Sequence, residues 1–221
     1  MTDAVRIVKT ERSIRYDDDM TSTASGTRPS EAHRRLLTTA TRIFYSEGIH
    51  SVGVDRIIAE AKVTRATFYR HFPSKDDLIL AYLREVHEME RGAVDTVITT
   101  NSRPVAPLLA IANSIAGSIQ SPGFRGCAFL NAAAEYPDTE HHVRQEIIAH
   151  RQWFLDTLTT LMARVQEETA ESAARHFVML RDGAMAAGCL FDPALVSETF
   201  LHGVEGLLRI TAERQPTESA G

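Results

Sequence analysis

The stretch from Gly48 to Leu78, GIHSVGVDRIIAEAKVTRATFYRHFPSKDDL, leaves few folds open. It contains two short helical segments separated by a tight turn. The first, about Val54 to Ala61, puts Val54, Ile57, Ile58 and Ala61 on one apolar face. The second, about Arg65 to His71, has Thr64 in the N-cap position, where its hydroxyl can accept a free backbone N–H. Its outer face carries hydroxyls, cations and Tyr69, while Phe68 and Phe72 are placed to anchor it. Pro73 and Ser74 break the chain. Ser74 with Asp77 three residues later is a variant capping box, opening a long helix from Lys75 to about Thr99. Upstream, Glu31 to Glu47 reads as a helix with Ser30 as N-cap and Gly48 as stop, its stripe formed by Leu36, Leu37, Ala40, Ile43 and Phe44. This is the layout of a helix-turn-helix, in which one helix braces and the next enters a DNA groove.

The charge distribution agrees. The chain has a net charge of −5, unpromising for a DNA binder. Nine of its 24 Lys/Arg lie between Arg28 and Lys75, against four of its 29 Asp/Glu. That segment is therefore +5 and the remainder −10, the asymmetry expected when one part meets phosphate and the other does not.

Composition bounds the rest. With 43% hydrophobic and 24% charged residues, 221 positions suffice for a soluble protein with a sizeable core. No run of 18 apolar residues is present, which predicts no membrane span. The N-terminal segment has neither the apolar core nor the cleavage site of a secretory signal. Cys127 and Cys189 have no metal or redox spacing. Both points lead to the cytoplasm as the expected compartment.

The division predicted is a disordered arm over residues 1–27, a DNA-binding domain over 28–75 and a helical domain over 76–215. Beyond Asn101 the pattern stays helical: an apolar helix opened by Pro104 and Pro107, a short one from about Gly126 to Glu135, and a longer one capped by Asp138 and reaching about Gln166. A further helix spans Ala170 to Ala187, and Asp192-Pro193 opens a last one to Glu213. No alternating strand pattern or internal repeat is visible. The expected fold is all-α with about nine helices.

The order of residues in the head resembles the TetR family of transcriptional regulators. The resemblance rests on Ala40, Phe44, Glu47 and Gly48, then on Val63-Thr64, Thr67-Phe68-Tyr69, His71-Phe72 and Ser74-Lys75-x-x-Leu78, and covers about Ser30 to Leu83. It implies a double-stranded DNA operator as partner, no cofactor, and a small hydrophobic effector bound among the later helices. The segment GCAFLNAAAEYPD, Gly126 to Asp138, also looks like a stretch in some members. Two positions depart from the pattern: Lys62 stands where the turn normally has Gly, and Gly53 where the second helix normally has a Ser or Thr cap. A left-handed Lys62 costs about 1 kcal/mol relative to Gly, which a phosphate contact would offset.

Candidate DNA-contacting residues follow from chemistry and from this resemblance. Thr64 and Thr67 can reach phosphate or base edges, and Arg65 can pair both acceptors of a guanine. Tyr69, His71 and Lys75 match the family's phosphate-contacting set, and Arg70 and Lys62 are further cations. Arg34, Arg35 and Arg42 read as solvated surface, and Arg56 fits either role.

In the acidic part, Phe129, Asn131, Glu135, Trp153 and Phe154 are candidates for a ligand site, joined by Tyr136, Leu158 and Met162. Each apolar member also fits an ordinary core position, and the Asn131–Glu135 pair fits either ligand orientation or capping of a neighbouring helix. His141, His142 and His150 do not make a metal site: adjacent His141 and His142 cannot share one helical face. Cys127 reads as a small buried thiol, with redox sensing as the alternative.

The last two helices are expected to pair two copies. Phe177, Leu180, Ala184 and Cys189 on one, and Leu195, Phe200, Val204, Leu207 and Leu208 on the other, form the predicted surface, with Gly183, Gly188, Gly203 and Gly206 allowing close approach. The function implied is a homodimeric repressor released from a palindromic operator by a small molecule. The alternative is a constitutive DNA-binding protein without effector. An all-α enzyme is set aside, because no nucleophile–base set, HExxH or phosphate loop is present.

Overall fold

The computed structural model describes residues 30–213. The predicted arm, the start of the DNA-binding domain at 28–29 and the end of the helical domain at 214–215 lie outside them. Nine helices are found among the described residues: α1 (Glu31–Glu47), α2 (Val54–Ala61), α3 (Arg65–His71), α4 (Lys75–Thr100), α5 (Ala106–Ile119), α6 (Ala128–Glu135), α7 (His142–Ala163), α8 (Ala170–Ala187) and α9 (Pro193–Glu213).

Local chemistry sets the first four. The Ser30 hydroxyl accepts from His33 N–H, and Gly48 closes α1 by donating to the Phe44 carbonyl. The Thr64 hydroxyl accepts from Thr67 N–H at the start of α3. Ser74 and Asp77 form both halves of a capping box at α4. Leu36, Ile43, Ile57, Phe68 and Leu78, each fully buried, close the head around α4.

α4 leaves the head and runs into the helical body, where it packs on α5, α6 and α7. α8 lies between α7 and α9, and α9 crosses α5. Gly188 ends α8 where a Cβ would come within 2.7 Å of Ile119 Cγ2, so the close approach it provides is to α5 of the same protomer. Gly126, at φ 83°, turns the chain into α6 against Met185 and Cys189.

Three boundary expectations are corrected. α5 starts at Ala106 because residues 103–106 form a turn in which Ala106 N–H donates to Arg103 O. α6 starts two residues after Gly126, whose left-handed backbone cannot join the helix. The N-cap of α7 is His141, not Asp138: the His141 Nδ1 accepts from Val143 N–H, while Asp138 closes a preceding turn by accepting from Glu140 N–H.

The predicted pairing surface is also corrected. Phe177, Phe200, Val204 and Leu208 are buried within the protomer, with Phe177 and Phe200 meeting edge to face at 6.1 Å. Both helices carry two apolar faces, and these residues belong to the inner one.

Lys62 is the residue the sequence marked as atypical, and its backbone is left-handed, at φ 53° and ψ 49°. It is the one non-glycine residue with positive φ among the described residues. Lys62→Gly is expected to stabilise the fold by about 1 kcal/mol, read as a higher urea midpoint with an unchanged denaturant slope.

Candidate nucleic-acid interface and its links to the helical body

The outer face of α3 carries most of the residues predicted to meet DNA. Thr64, Arg65, Tyr69 and Arg70 are exposed, and Thr67 is half-buried. Tyr69 leans its ring edge against Phe68, 5.1 Å between centroids. The Thr64 and Thr67 hydroxyls bond to each other at 2.8 Å, one giving its O–H and the other a lone pair.

The cations of the head are not equivalent. Arg34 pairs with Glu31, Arg42 with Glu60, and Arg65 with Asp55. Arg56 bonds Glu60 at 2.8 Å and Glu47 at 2.7 Å, bracing α2 against the end of α1. Lys62 and Arg70 are exposed and make no ion pair among the described residues. Exposed pairs contribute about 0–1 kcal/mol, so Arg65 can exchange Asp55 for another acceptor at little cost.

Two residues of the predicted phosphate set are engaged within the protein. His71 Nε2 lies 3.0 Å from the Ser30 hydroxyl, tying α3 to the cap of α1. The Lys75 ammonium donates to the Ile49 carbonyl at 2.7 Å, stands 5.9 Å above the Phe44 ring, and is pushed below the usual lysine pKa by burial. Lys75, at the start of α4, thus braces the loop that joins α1 to α2.

That loop is held from the helical body as well. Glu135, the last residue of α6, accepts from Ile49 N–H at 2.8 Å and from His50 N–H at 2.6 Å. Tyr45 makes a second link: its hydroxyl donates to the Gly126 carbonyl and accepts from Arg125 N–H, both at 3.0 Å. Thr41 donates to Glu85 at 2.7 Å. α6 and the turn before it therefore grip the head directly.

This placement revises the predicted ligand set. Glu135 accepts from the head loop between α1 and α2, a role different from either the ligand contact or the helix cap expected for it. Asn131 is exposed and donates to the Arg125 carbonyl at 2.8 Å, shaping the turn before α6. Phe129 is fully buried, its ring stacked on His150 with 3.4 Å between centroids. Trp153 packs edge-on against His87. Of the five, Phe154 alone borders the cavity of about 150 Å³ between α4, α5, α7 and α8. Residues that sequence reasoning missed there are Glu90 and Arg181. Nothing in their local pattern distinguishes them from surface charges.

The histidines also differ from expectation. Because His141 caps α7 rather than joining it, its ring stacks on His142 at 4.6 Å. Both Nε2 atoms then lie within 3.6 Å of Asp76 Oδ2 at the start of α4. The Nδ1 of His141 accepts from Val143 N–H, which leaves the ring proton on Nε2, facing the carboxylate as a donor. His150 is buried, with Nδ1 2.9 Å from His87 Nδ1. Burial, then His87, Arg181 and Arg151, push it down to about 3.

Comparison with known proteins accords with this architecture. Residues 36–82 match the family described as bacterial regulatory proteins, tetR family. The crystal structure of SCO4454, a TetR-family transcriptional regulator from Streptomyces coelicolor, is 63% identical with a TM-score of 0.81, covering 82% of this chain and 96% of that one. The transcriptional regulator AcuR of Cereibacter sphaeroides is 26% identical over 190 residues, 85% of this chain and 80% of the relative. The transcriptional activator FasR of Mycolicibacterium smegmatis is 37% identical over 71 residues, 32% of each chain. The chain belongs to the TetR family: it is a transcriptional regulator with a DNA-binding helix-turn-helix, not an enzyme. No helix of the described residues is long and apolar enough to cross a membrane.

Removing the Glu135 carboxylate leaves two backbone N–H groups of the loop without acceptors. His50 N–H can turn to water and the half-buried Ile49 N–H less so, so Glu135→Ala should cost about 1–2 kcal/mol in urea unfolding, with Glu135→Gln losing less. For His150, the folded pKa lies below the unfolded value of 6.5. As pH falls through 6.5 the unfolded chain takes up a proton that the folded chain refuses, and stability declines from there towards pH 3. His150→Leu should flatten this acid limb of the urea midpoint, by up to about one proton in slope.

Proposed function

We propose that this regulator is a homodimeric repressor, released from a palindromic operator when a small molecule binds its helical domain. Residues 28–75 read DNA in this account, and residues 76–215 bind the effector and pair two copies. The observation that carries the release step is the double hydrogen bond of Glu135 to the α1–α2 loop. A ligand that shifts α6 must also shift the head, or break those bonds.

Dimerisation is argued from the outer face of α8 and α9. Met179, Phe191, Leu195 and Ile210 are exposed there at 71%, 66%, 61% and 54%. With Leu180 and Leu207 they line an apolar groove of about 1010 Å³. An apolar surface of this extent is characteristic of an interaction site. A second copy related by a two-fold axis would cover it and set two α3 helices against successive major grooves. Repression then needs only occupancy of the operator. FasR is an activator by name, so promoter geometry decides the sign of the effect.

Within the head, Arg65 is the base reader, and Thr64, Thr67 and Tyr69 are positioning contacts. Lys62 and Arg70, two cations of the turn and α3 that make no ion pair among the described residues, carry phosphate binding. His71 and Lys75 act indirectly, by fixing α3 and the α1–α2 loop. The cavity of about 150 Å³ is smaller than the roughly 300 Å³ at which common ligand sites begin, the one observation that favours constitutive DNA binding instead. DNA retention measured with and without a ligand that raises the melting temperature separates the two.

The DNA-facing assignments are tested by binding to sites selected from a random pool. Arg65→Ala should relax base preference by about 1–3 kcal/mol at its position. Lys62→Ala and Arg70→Ala should weaken binding to all sequences and lower the salt slope by about one each. Lys75→Ala should leave the slope unchanged and lower the melting temperature. Leu195→Glu should yield monomers by sedimentation. A dimeric Leu195→Glu would rule out this face as the interface.

A further inference from the structure

The ligand proposed above has, so far, no chemistry. The cavity between α4, α5, α7 and α8 supplies it. Its apolar lining includes Val94, Val97, Ile111 and Met185, and its charged lining is Glu90 and Arg181. The lining residues Ala93, Ser114 and Ser118 are exposed, so the cavity opens to solvent between α4 and α5.

Arg181 is only 2% exposed. A guanidinium buried to that depth needs its donors filled. One side is filled: Nη1 donates to Asp182 Oδ1 at 3.0 Å and to Cys127 Sγ at 3.3 Å. The other is not. Among the described residues Nε has no hydrogen-bond partner, and Nη2 lies 3.9 Å from Glu90 Oε2. The Nε–Nη2 edge is one of the edges with which arginine grips a carboxylate through two parallel N–H···O bonds. Asp182 does not neutralise Arg181 alone, since it is also paired with Arg151. Glu90 is a loose counter-ion whose carboxyl is raised by burial.

We propose that this cavity binds a small organic monoanion, a carboxylate on a short apolar body, with Arg181 as its anchor. This rests on the ligand-responsive reading above and names the ligand class. The carboxylate closes the open edge of Arg181, and the body lies against Val94, Val97 and Ile111. Size limits the body: a cavity of about 150 Å³ holds a molecule on the order of benzene, or roughly six non-hydrogen atoms, of which the carboxylate takes three. A cation is opposed by Arg181, and a neutral amide offers one acceptor where two donors wait. Glu90 opposes the bound anion and sets its affinity. The anchor also touches the lever, because Cys127, bonded to Arg181, caps the start of α6, and Glu135 ends it.

The test uses the full-length protein with sodium butyrate and its neutral isostere butyramide, against matched sodium chloride. Thermal unfolding and calorimetry read binding, and retention of pool-selected DNA reads release. Butyrate is expected to raise the melting temperature by several degrees and butyramide to leave it unchanged. Arg181→Met should abolish the butyrate response. Glu90→Gln should tighten butyrate binding by about threefold or more, and it stands as a second test if Arg181→Met does not fold. Equal binding of butyramide, a butyrate response that survives Arg181→Met, or weaker binding by Glu90→Gln would overturn the anion assignment and leave ligand-driven release standing. No response to any straight-chain carboxylate of two to six carbons overturns it too. Butyrate binding with unchanged DNA retention supports the site and removes the release step.

Discussion

The Glu135 carboxylate is the central tie between the two halves of this molecule. The loop between α1 and α2 turns sharply, and its Ile49 and His50 N–H groups have no helix or strand to receive them. Glu135, 86 residues beyond Ile49, accepts both. Lys75 completes the arrangement by donating to the Ile49 carbonyl from the first turn of α4. The loop is thus satisfied on its donor side by the helical body and on its acceptor side by the head. A buried or half-buried N–H without an acceptor costs about 1–3 kcal/mol, so the head has one preferred orientation against α6. Tyr45, bonded to both Arg125 and Gly126, removes the remaining freedom by fixing α1 to the turn that precedes α6.

The parts of the fold governed by local rules were readable in the sequence. The limits of α1, α2 and α3 follow from Ser30, Gly48 and Thr64 and from the apolar stripe, and they stand where those residues place them. The left-handed turn at Lys62 was readable too, because the family pattern reserves that position for Gly. What the sequence withheld was long-range pairing. Asn131 and Glu135 sit one turn apart in a way that suggests a ligand, and nothing local says that their partners are the Arg125 carbonyl and the Ile49 loop. Counting the head's cations gave the correct sign of its charge. It did not show that Arg56 and Lys75 are engaged internally while Lys62 and Arg70 make no ion pair among the described residues. In α8 and α9 the difficulty is periodic: both helices have two apolar faces, and composition alone does not tell the face of Phe177 and Phe200 from that of Met179 and Leu195.

Arg181 poses an energetic question that stability alone does not answer. Replacing a buried ion cluster by well-packed apolar residues of similar size is often neutral or stabilising, by about 1–4 kcal/mol. The surroundings of Arg181 would suit such a replacement, with Phe154 5.3 Å from its guanidinium and Met185 and Ile115 in the same cavity. A buried charge with a filled edge and an open one is better understood as a half-complete binding site. Glu90 lies between Arg181 and His150, at 3.9 Å and 3.5 Å, close enough to limit the penalty and too far to form a hydrogen bond.

The same geometry indicates how occupancy would reach the DNA. α6 is eight residues long, about 12 Å at 1.5 Å per residue. A rigid element that short transmits displacement at one end to the other. On the proposed binding mode, drawing Arg181 toward a bound carboxylate would pull on Cys127 at the start of α6, and Glu135 at its end would then lengthen its bonds to Ile49 and His50 or carry the loop with it. In the dimer proposed for this regulator, either result would change the spacing of the two α3 helices, which must fit successive grooves at once. The energy needed is modest, since a ligand that binds one head orientation about 100-fold better than the other shifts the balance by roughly 2.7 kcal/mol. That is comparable to the pair of hydrogen bonds at Glu135. A switch is only as sensitive as its latch is weak, and an exposed-edge carboxylate on two backbone N–H groups is a latch of matching strength.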